Sequence, residues 1–314
     1  MSMKTYDDAS TFLGDGTGRY FANGYRHFHW RITAFEVSEA GLGGELEISY
    51  DGPARPDGQP HLGSIEYTAI ASMLAEYVLI YLARLDAEQV SLSLLRHIRL
   101  KLRDAVEVAG ETTLPFRCAL GQPDWTRRAS NGILSPIAVW LADTHISLVA
   151  DHPANRWGRF DPCAVWPLNR PAMYNHGYKL RTNTVADVCC DATNRTCSAM
   201  VTRDDYYGGD RQGLFSARSA TIPTDVLTVT GQLMQVLLYT LEGTTREDCG
   251  NIWLRAMDIR YGRAMWAKRY AASVRFLDVK TLAKGEHRWR AVRLVSQLAG
   301  ITGEFSITHR LKTN

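Results

Sequence analysis

Hydrophobic residues dominate two long segments of the chain, and polar positions interrupt each of them only rarely. The first segment spans residues 64–85, with Ser64 in the position of a helix N-cap, and the second spans residues 225–241. A helix that is apolar nearly all round lies either inside a protein or in a membrane. Glu76 in the middle of the first segment, and the short length of the second, favour burial in a protein. The pattern therefore predicts two buried helices and no membrane span.

Residues that alternate between polar and apolar surround both helices, with the period of two that is typical of half-buried strands. Phe28, Trp30 and Ile32, for example, alternate with polar neighbours. The strand candidates are 28–32, 46–50, 98–102, 114–119 and 137–150 in the first half, and 178–190, 196–203, 251–261, 270–280, 287–297 and 303–311 in the second. The order of strands, helix and strands thus occurs twice.

A short sequence repeat supports this duplication. Residues 21–26 resemble residues 174–179, and a similar spacing separates the two helix starts at Ser64 and Thr224. The repeat predicts two domains, 1–165 and 166–314. A long helix wrapped by a curved antiparallel sheet, occurring twice in one chain, is the double hot-dog architecture of the α+β class.

Three motifs in the first part of the chain resemble the avirulence protein D family. They are Phe-Leu-Gly at 12–14, Arg-Tyr-Phe-x-x-Gly-Tyr-Arg at 19–26 and Pro-His-Leu-Gly-Ser-Ile-Glu at 60–66. That family is linked to syringolides, signal molecules built from a β-keto fatty acyl chain and a pentulose such as xylulose. The layout is also similar to the A-factor synthase family, which transfers a β-ketoacyl group to a small phosphorylated hydroxyketone. The resemblance implies acyl transfer from a thioester carrier to a sugar-like hydroxyl.

Hot-dog enzymes activate a thioester carbonyl at the N-terminus of the buried helix, where unpaired N–H groups and the helix dipole favour an oxyanion. His61 and Glu66 bracket this point of the first helix, and we expect them to be catalytic, with Ser64 binding substrate. A loop histidine and an ordinary first-turn carboxylate are the alternatives. Glu76, further along the helix, is interpreted as one partner of a buried ion pair with an arginine or as a functional carboxyl.

Further candidates for substrate binding lie elsewhere in the repeat. Arg26 and Lys179 occupy matching positions and Arg218 precedes the second helix, so we expect these cations to bind a hydroxylated or phosphorylated acceptor. Thr230 and Gln232 are polar positions on the second helix that suit a carbonyl or hydroxyl. Solvated surface cations and side chains that satisfy neighbouring backbone groups are the alternatives. Because no histidine stands at the second helix entry, one active site per chain is expected.

Composition limits the binding partners and the cellular compartment that are expected for this protein. The chain has 36 basic and 33 acidic residues and a net charge of +3, which argues against nucleic acid or an anionic membrane as the main partner. Six cysteines without a C-x-x-C pair indicate free thiols, and no secretory signal is recognised, so a cytoplasmic protein is expected. The glycine-rich stretch 14–18 lacks a nucleotide-binding spacing, and an exposed loop is the favoured interpretation of Asp204, Asp205 and Asp210. We expect neither cofactor nor metal.

The leading hypothesis is an acyltransferase of secondary-metabolite biosynthesis that joins a β-ketoacyl thioester to a ketose hydroxyl on the way to a lactone or butenolide. Its expected partners are an acyl-coenzyme A or acyl carrier protein thioester and a small sugar-like acceptor, with a homo-oligomer left open. The alternatives are a hot-dog dehydratase or thioesterase, and a non-catalytic ligand-binding hot-dog protein.

Overall fold

Strands are the main regular element of the structure, which is a computed structural model. It describes residues 3–17, 19–53, 60–123, 132–154, 167–204, 213–216, 220–246, 249, 251–262, 266–285, 287–298 and 300–311. The strands in the described residues are β1 (Lys4–Asp8), β2 (Phe28–Ser38), β3 (Gly41–Tyr50), β4 (Leu94–Lys101), β5 (Thr112–Leu120), β6 (Ile133–Leu141), β7 (Thr144–His152), β8 (Thr182–Asp191), β9 (Thr196–Asp204), β10 (Ile252–Tyr261), β11 (Arg269–Lys284), β12 (His287–Leu298) and β13 (Ile301–Arg310).

Two long helices occupy the positions that the apolar segments predict. They are α2 (Ser64–Tyr81) and α4 (Pro223–Glu242), and every residue of α2 is buried. Helix α2 ends earlier than the apolar segment because the chain turns at Arg84, which has a positive φ of 59°. Gly243 ends α4 in the left-handed conformation that glycine adopts at no steric cost. Two short helices, α1 (Ala9–Leu13) and α3 (Ala87–Leu92), were not expected from the sequence.

The strands form a continuous antiparallel sheet whose order shows the duplication. Its order is β1-β8-β9-β11-β12-β13-β10-β4-β7-β6-β5-β3-β2. Within each half the six consecutive strands are arranged as first, second, fourth, fifth, sixth and third, and the long helix lies between the second and third. The two third strands, β4 and β10, pair with each other and join the halves. This arrangement is the double hot-dog fold, as the sequence predicts.

Irregular registers curve the sheet around the helices. The pairing shifts between Ile32 and Ala34 in β2 and between Leu254 and Ala256 in β10, among other places. Such bulges bend a strand and increase its twist, which lets one sheet wrap a helix on several sides. The candidate strand 137–150 is divided into β6 and β7 by a tight turn at Ala142, whose φ is 46°.

The division into domains 1–165 and 166–314 stays a prediction, because both residues at that boundary lie outside the described residues. The N-terminal strand β1 pairs with β8, so the first residues of the chain extend the sheet of the second half. None of the helices in the described part of the chain is long and apolar enough to cross a membrane.

Candidate functional site

A cavity of about 610 Å³ opens between the two halves of the molecule. It lies between the N-terminus of α2 and one face of α4, and the strands β10, β12 and β13 contribute to its wall together with segments before β2 and after β4. Apolar side chains from α4, β12 and β13 line much of the cavity, including Met234, Leu294, Phe305 and Ile307. A cavity of this volume, with apolar walls and a few polar groups, is typical of small-molecule sites.

The N-terminus of α2 is built around Glu66. The carboxylate accepts hydrogen bonds from the Gly63 amide, at 2.8 Å, and from the Tyr20 hydroxyl, at 2.5 Å. The same hydroxyl accepts a hydrogen bond from the Ile65 amide at 3.1 Å. A side chain at position 63 would overlap the Tyr20 hydroxyl at 2.2 Å, so this close approach requires glycine. Glu66 is thus fully buried behind Tyr20, and Tyr20 is the member of the pair that lines the cavity.

His61 and Ser64 line the same cavity directly. The His61 ring stacks on Trp253 of β10, with ring centroids 4.6 Å apart and an interplanar angle of 26°. Ser64 is the first residue of α2, and the first N–H groups of a helix have no acceptor earlier in that helix. The positive end of the helix dipole lies at the same point. The arrangement can therefore stabilise negative charge on a substrate carbonyl oxygen placed next to Ser64.

Helix α4 separates the two candidates that it carries. Thr230 faces the cavity together with Gly231 and Met234. Gln232 lines a second pocket of about 250 Å³, which also includes Arg26. The structure therefore brings Thr230 together with His61, Ser64 and Tyr20, and places Gln232 and Arg26 at a different pocket.

The other predicted cations do not line the large cavity as far as the described residues define it. Arg26 donates to the Arg181 carbonyl at 2.9 Å, in addition to facing the smaller pocket. Lys179 is buried, donates to the Phe28 carbonyl and lies 5.6 Å from the centre of the Trp30 ring. Burial lowers the pKa of Lys179 to about 8. Arg218 lies outside the described residues.

The N-terminus of α4 is closed by an ion pair. Asp225 has the position in α4 that Glu66 has in α2, and it also accepts a hydrogen bond from the residue before its helix. Its carboxylate binds the Arg181 guanidinium at 2.5 Å, and both side chains are almost fully buried. Burial alone raises the pKa of Asp225, but the charge and hydrogen bonds of Arg181 outweigh it, and the pKa is lowered. The two helix termini therefore differ, and only that of α2 lines the large cavity in the described part of the chain.

Some residues of the site carried no individual signal in the sequence. Tyr20 lies in the motif at 19–26, but nothing local to it reveals its bond to Glu66. Cys249 lines the cavity from the second half of the chain, and the sequence indicates only that it is one of several free thiols. Within the described residues no group of histidine, cysteine, aspartate and glutamate side chains could hold a metal ion, and Asp205 and Asp210 lie outside them.

The fold and the cavity at its helix terminus define a double hot-dog protein. The chain belongs to the Pseudomonas avirulence D protein (AvrD) family, whose model matches residues 1–312. No curated protein matches the chain.

Solved structures with a similar chain path include the following three. A tesB protein from Mycobacterium avium subs paratuberculosis is 8% identical, with 88% of this chain and 96% of that chain covered and a TM-score of 0.44. A bifunctional dehydratase-cyclase domain in ambruticin biosynthesis is 12% identical, with 90% and 96% covered and a TM-score of 0.39. An acyl-ACP thioesterase from Bacteroides thetaiotaomicron is 8% identical, with 84% and 97% covered and a TM-score of 0.43.

Proposed function

We propose that the protein is an acyltransferase that joins a β-ketoacyl thioester to a hydroxyl of a ketose such as xylulose, on the way to a lactone or butenolide of the syringolide type. The observation that carries the proposal is the large cavity at the N-terminus of α2, which combines an apolar wall with His61, Ser64 and Tyr20. Membership of the AvrD family supports the same reaction. The reaction needs space for an acyl chain and polar groups at the carbonyl, and this cavity supplies both.

The two ends of the cavity suit the two parts of a thioester. The acyl chain packs against Met234, Phe305 and Ile307. Removing its apolar surface from water stabilises the bound substrate. The carbonyl oxygen lies next to the Ser64 amide, where the helix dipole stabilises the charge that develops during attack. Thr230, on the facing helix, donates to the acceptor sugar. The exposed side chains of Arg103 and Arg255 also line the cavity and suit the phosphates of coenzyme A or of a phosphopantetheine carrier.

Glu66 and His61 supply the proton transfers in this proposal. Glu66 is the base, and its hydrogen bond to Tyr20 gives the carboxylate a path to the cavity through the tyrosine hydroxyl. As the hydroxyl oxygen of the acceptor forms a bond to the carbonyl carbon, its proton passes by way of Tyr20 to Glu66. The carbon–sulfur bond then breaks, and His61 protonates the departing thiolate.

Free cysteines support a cytoplasmic location for this chemistry. Cys118, Cys190 and Cys197 are buried and unbridged, and Cys189 and Cys249 are also free. Thiols persist in reducing compartments, where coenzyme A and carrier protein thioesters are made. We therefore place the reaction in the cytoplasm.

The decisive experiment incubates purified protein with a β-ketoacyl-coenzyme A and xylulose and measures the product mass. The proposal expects the acyl ester of the sugar, or its ring-closed product after loss of water. Free β-keto acid as the main product would indicate a thioesterase, and loss of water from the acyl chain without sugar attachment would indicate a dehydratase. Retention of unchanged thioester would indicate a binding protein, and each of these three results contradicts the proposal.

A further inference from the structure

Cys249 belongs to a cluster that neither the family nor the helix terminus accounts for. Its sulfur lies 3.4 Å from Nδ1 of His309, and Nε2 of His309 lies 3.2 Å from a carboxylate oxygen of Glu242. His309 is 1% exposed, whereas Cys249 is half-buried and lines the large cavity. Two close contacts thus link the thiol to the imidazole and the imidazole to the carboxylate, and the thiol lies at the cavity wall.

Three elements, α4, β13 and β12, hold the side chains of this cluster in place. Glu242 is the last residue of α4, and His309 lies on β13 between strands β12 and β10. Arg290, the partner of His309 in the register of β12, donates to the same Glu242 oxygen at 2.8 Å. The carboxylate is therefore held by two cationic or potentially cationic groups, and it orients the imidazole towards Cys249.

We propose that Cys249, His309 and Glu242 form a nucleophile, its acid–base partner and an orienting carboxylate, and that Cys249 carries the acyl group as a thioester between carrier and acceptor. This inference rests on the proposed function, because it names the covalent intermediate of the same transfer. Helix dipole and oxyanion stabilisation by themselves need no cysteine. Through Cys249, the cluster brings a second group of chemistry-bearing residues to the wall of the same cavity.

The transfer then has two balanced steps. In the first, the Cys249 thiolate, paired with the His309 imidazolium, forms a bond to the carbonyl carbon of the substrate, the bond to the carrier sulfur breaks, and His61 protonates the departing thiolate. In the second, the acceptor hydroxyl oxygen attacks the Cys249 thioester, and its proton passes by way of Tyr20 to Glu66. The carbon–sulfur bond to Cys249 breaks, which restores the thiolate beside the His309 imidazolium, and the proton on Glu66 returns to His61 through water. No oxidant or reductant takes part.

The charges around His309 suit the first step. Burial alone lowers the pKa of His309, but its interactions with Cys249 and Glu242 raise that pKa to about 9. His309 is therefore protonated at neutral pH. The charged and titratable groups that face the cluster are Arg290 on β12, the Tyr239 hydroxyl on α4 and Arg246 after it. With its Nδ1 3.4 Å from the sulfur, His309 is placed to act as the acid–base partner of Cys249.

A structural role is the alternative, since the cluster also ties the end of α4 to the sheet. The test therefore measures a covalent product. Wild-type protein is incubated with acetoacetyl-coenzyme A without acceptor, quenched in acid and measured by intact mass and peptide mapping. We expect one acetoacetyl group per chain, attached to Cys249. The variant C249A should lose the adduct, whereas C189A, which removes another half-buried free thiol, should keep it.

Two further variants separate chemistry from packing. H309N should slow acylation by about 10²-fold, as the loss of an acid–base group does. E242Q should slow it less and should shift the alkaline limb of its pH profile to lower pH, because the pKa of His309 falls when the carboxylate charge is removed. A purely structural cluster would change melting temperatures without changing the pH profile of the acylation rate.

The outcomes distinguish this inference from the proposed function. If C249A forms the sugar ester at the wild-type rate, or if no adduct appears on Cys249 of active wild-type protein, the inference is overturned and the proposed function stands. If Cys249 is acylated but no hydroxyl acceptor ever receives the group, the cluster is confirmed and the proposed function fails. C249S serves as a second variant if C249A does not fold.

Discussion

At the scale of single residues, Glu66 shows how one carboxylate can serve both the helix and the reaction. It caps α2 through the Gly63 amide and holds the Tyr20 hydroxyl, which faces the cavity. Glu66→Gln keeps the size and an oxygen that accepts these hydrogen bonds but cannot take up a proton. We expect single-turnover acyl transfer to slow by about 10²–10⁴-fold in Glu66→Gln, and in His61→Ala, with a melting temperature near that of wild type.

The matched control for this prediction is Glu39→Gln, which removes an exposed carboxylate. It should leave both the rate and the melting curve unchanged. If Glu66→Gln and His61→Ala keep the wild-type rate, or lose activity only because they unfold, the assignment is wrong. The face of α4 that carries Thr230 then becomes the first place to look for the base.

Glu76 illustrates a second use of a buried carboxyl. It is completely enclosed, accepts a hydrogen bond from the Leu214 amide at 2.8 Å, and its pKa is raised to about 8 by burial, against the opposing effects of that hydrogen bond and of Arg170. The carboxyl is therefore mostly neutral at pH 7, and the ion pair or functional carboxyl expected from the sequence stays a prediction. Gly213, at a φ of 115°, leaves room for the carboxyl where a side chain would overlap it.

This raised pKa predicts a pH dependence of stability. In the folded state Glu76 keeps its proton up to about pH 8, whereas in the unfolded chain it loses it near pH 4.5. The stabilising contribution of Glu76 to the free energy of unfolding is therefore complete below about pH 4.5 and is lost as the pH rises through 8. Glu76→Gln should remove this loss and be a few kcal/mol more stable than wild type at pH 9 in denaturant titrations. Equal pH profiles for the two proteins would contradict the assignment.

At the scale of elements, the two helix termini show how a duplicated fold becomes asymmetric. Arg181 and Asp225 are both buried at the start of α4, and Arg181 also donates to the Ala220 carbonyl at 2.8 Å. Asp225→Asn leaves the guanidinium buried without its counter-charge. We expect the free energy of unfolding to fall by about 3–5 kcal/mol, measured by denaturant titration.

The control for this ion pair is a surface pair in the same half. Asp187 and Arg269 lie 3.9 Å apart and both are about two-thirds exposed. Asp187→Asn should therefore change the free energy of unfolding by less than about 1 kcal/mol. Similar losses in Asp187→Asn and Asp225→Asn would show that the pair at the start of α4 is not specially stabilising.

The elements were predictable from sequence because their periodicity is local, whereas the contacts of the site are not. The buried helix at Ser64–Tyr81 and the alternating strands follow from hydrophobic spacing alone. The bond between Tyr20 and Glu66 joins two separate motifs, and Cys249 and His309 meet only because α4 ends beside β13. Arg26 and Lys179 match in the repeat, yet both are tied to backbone carbonyls. A sequence repeat identifies equivalent positions and does not show which of them face a cavity.

At the scale of the whole molecule, a large cavity lies between the halves in the described part of the chain, and this predicts the binding stoichiometry. The N-terminus of α2 opens on that cavity, whereas the ion pair of Asp225 closes the equivalent end of α4. We therefore expect one molecule of a thioether analogue of β-ketoacyl-coenzyme A per chain, measured by native mass spectrometry and calorimetry. The thioether cannot transfer its acyl group, so binding is measured without turnover.

Two variants on α4 decide whether this one site is the large cavity. Thr230→Trp fills space between the helices and should weaken binding at least 10-fold, because the indole occupies the volume that the acyl chain needs. Gln232→Leu, two residues further on, alters only the pocket of about 250 Å³ and should bind as wild type does. Two ligands per chain would mean that the second half holds its own site. Equal weakening by both variants would mean that the substrate reaches the smaller pocket, where Gln232 and Arg26 would then contact it.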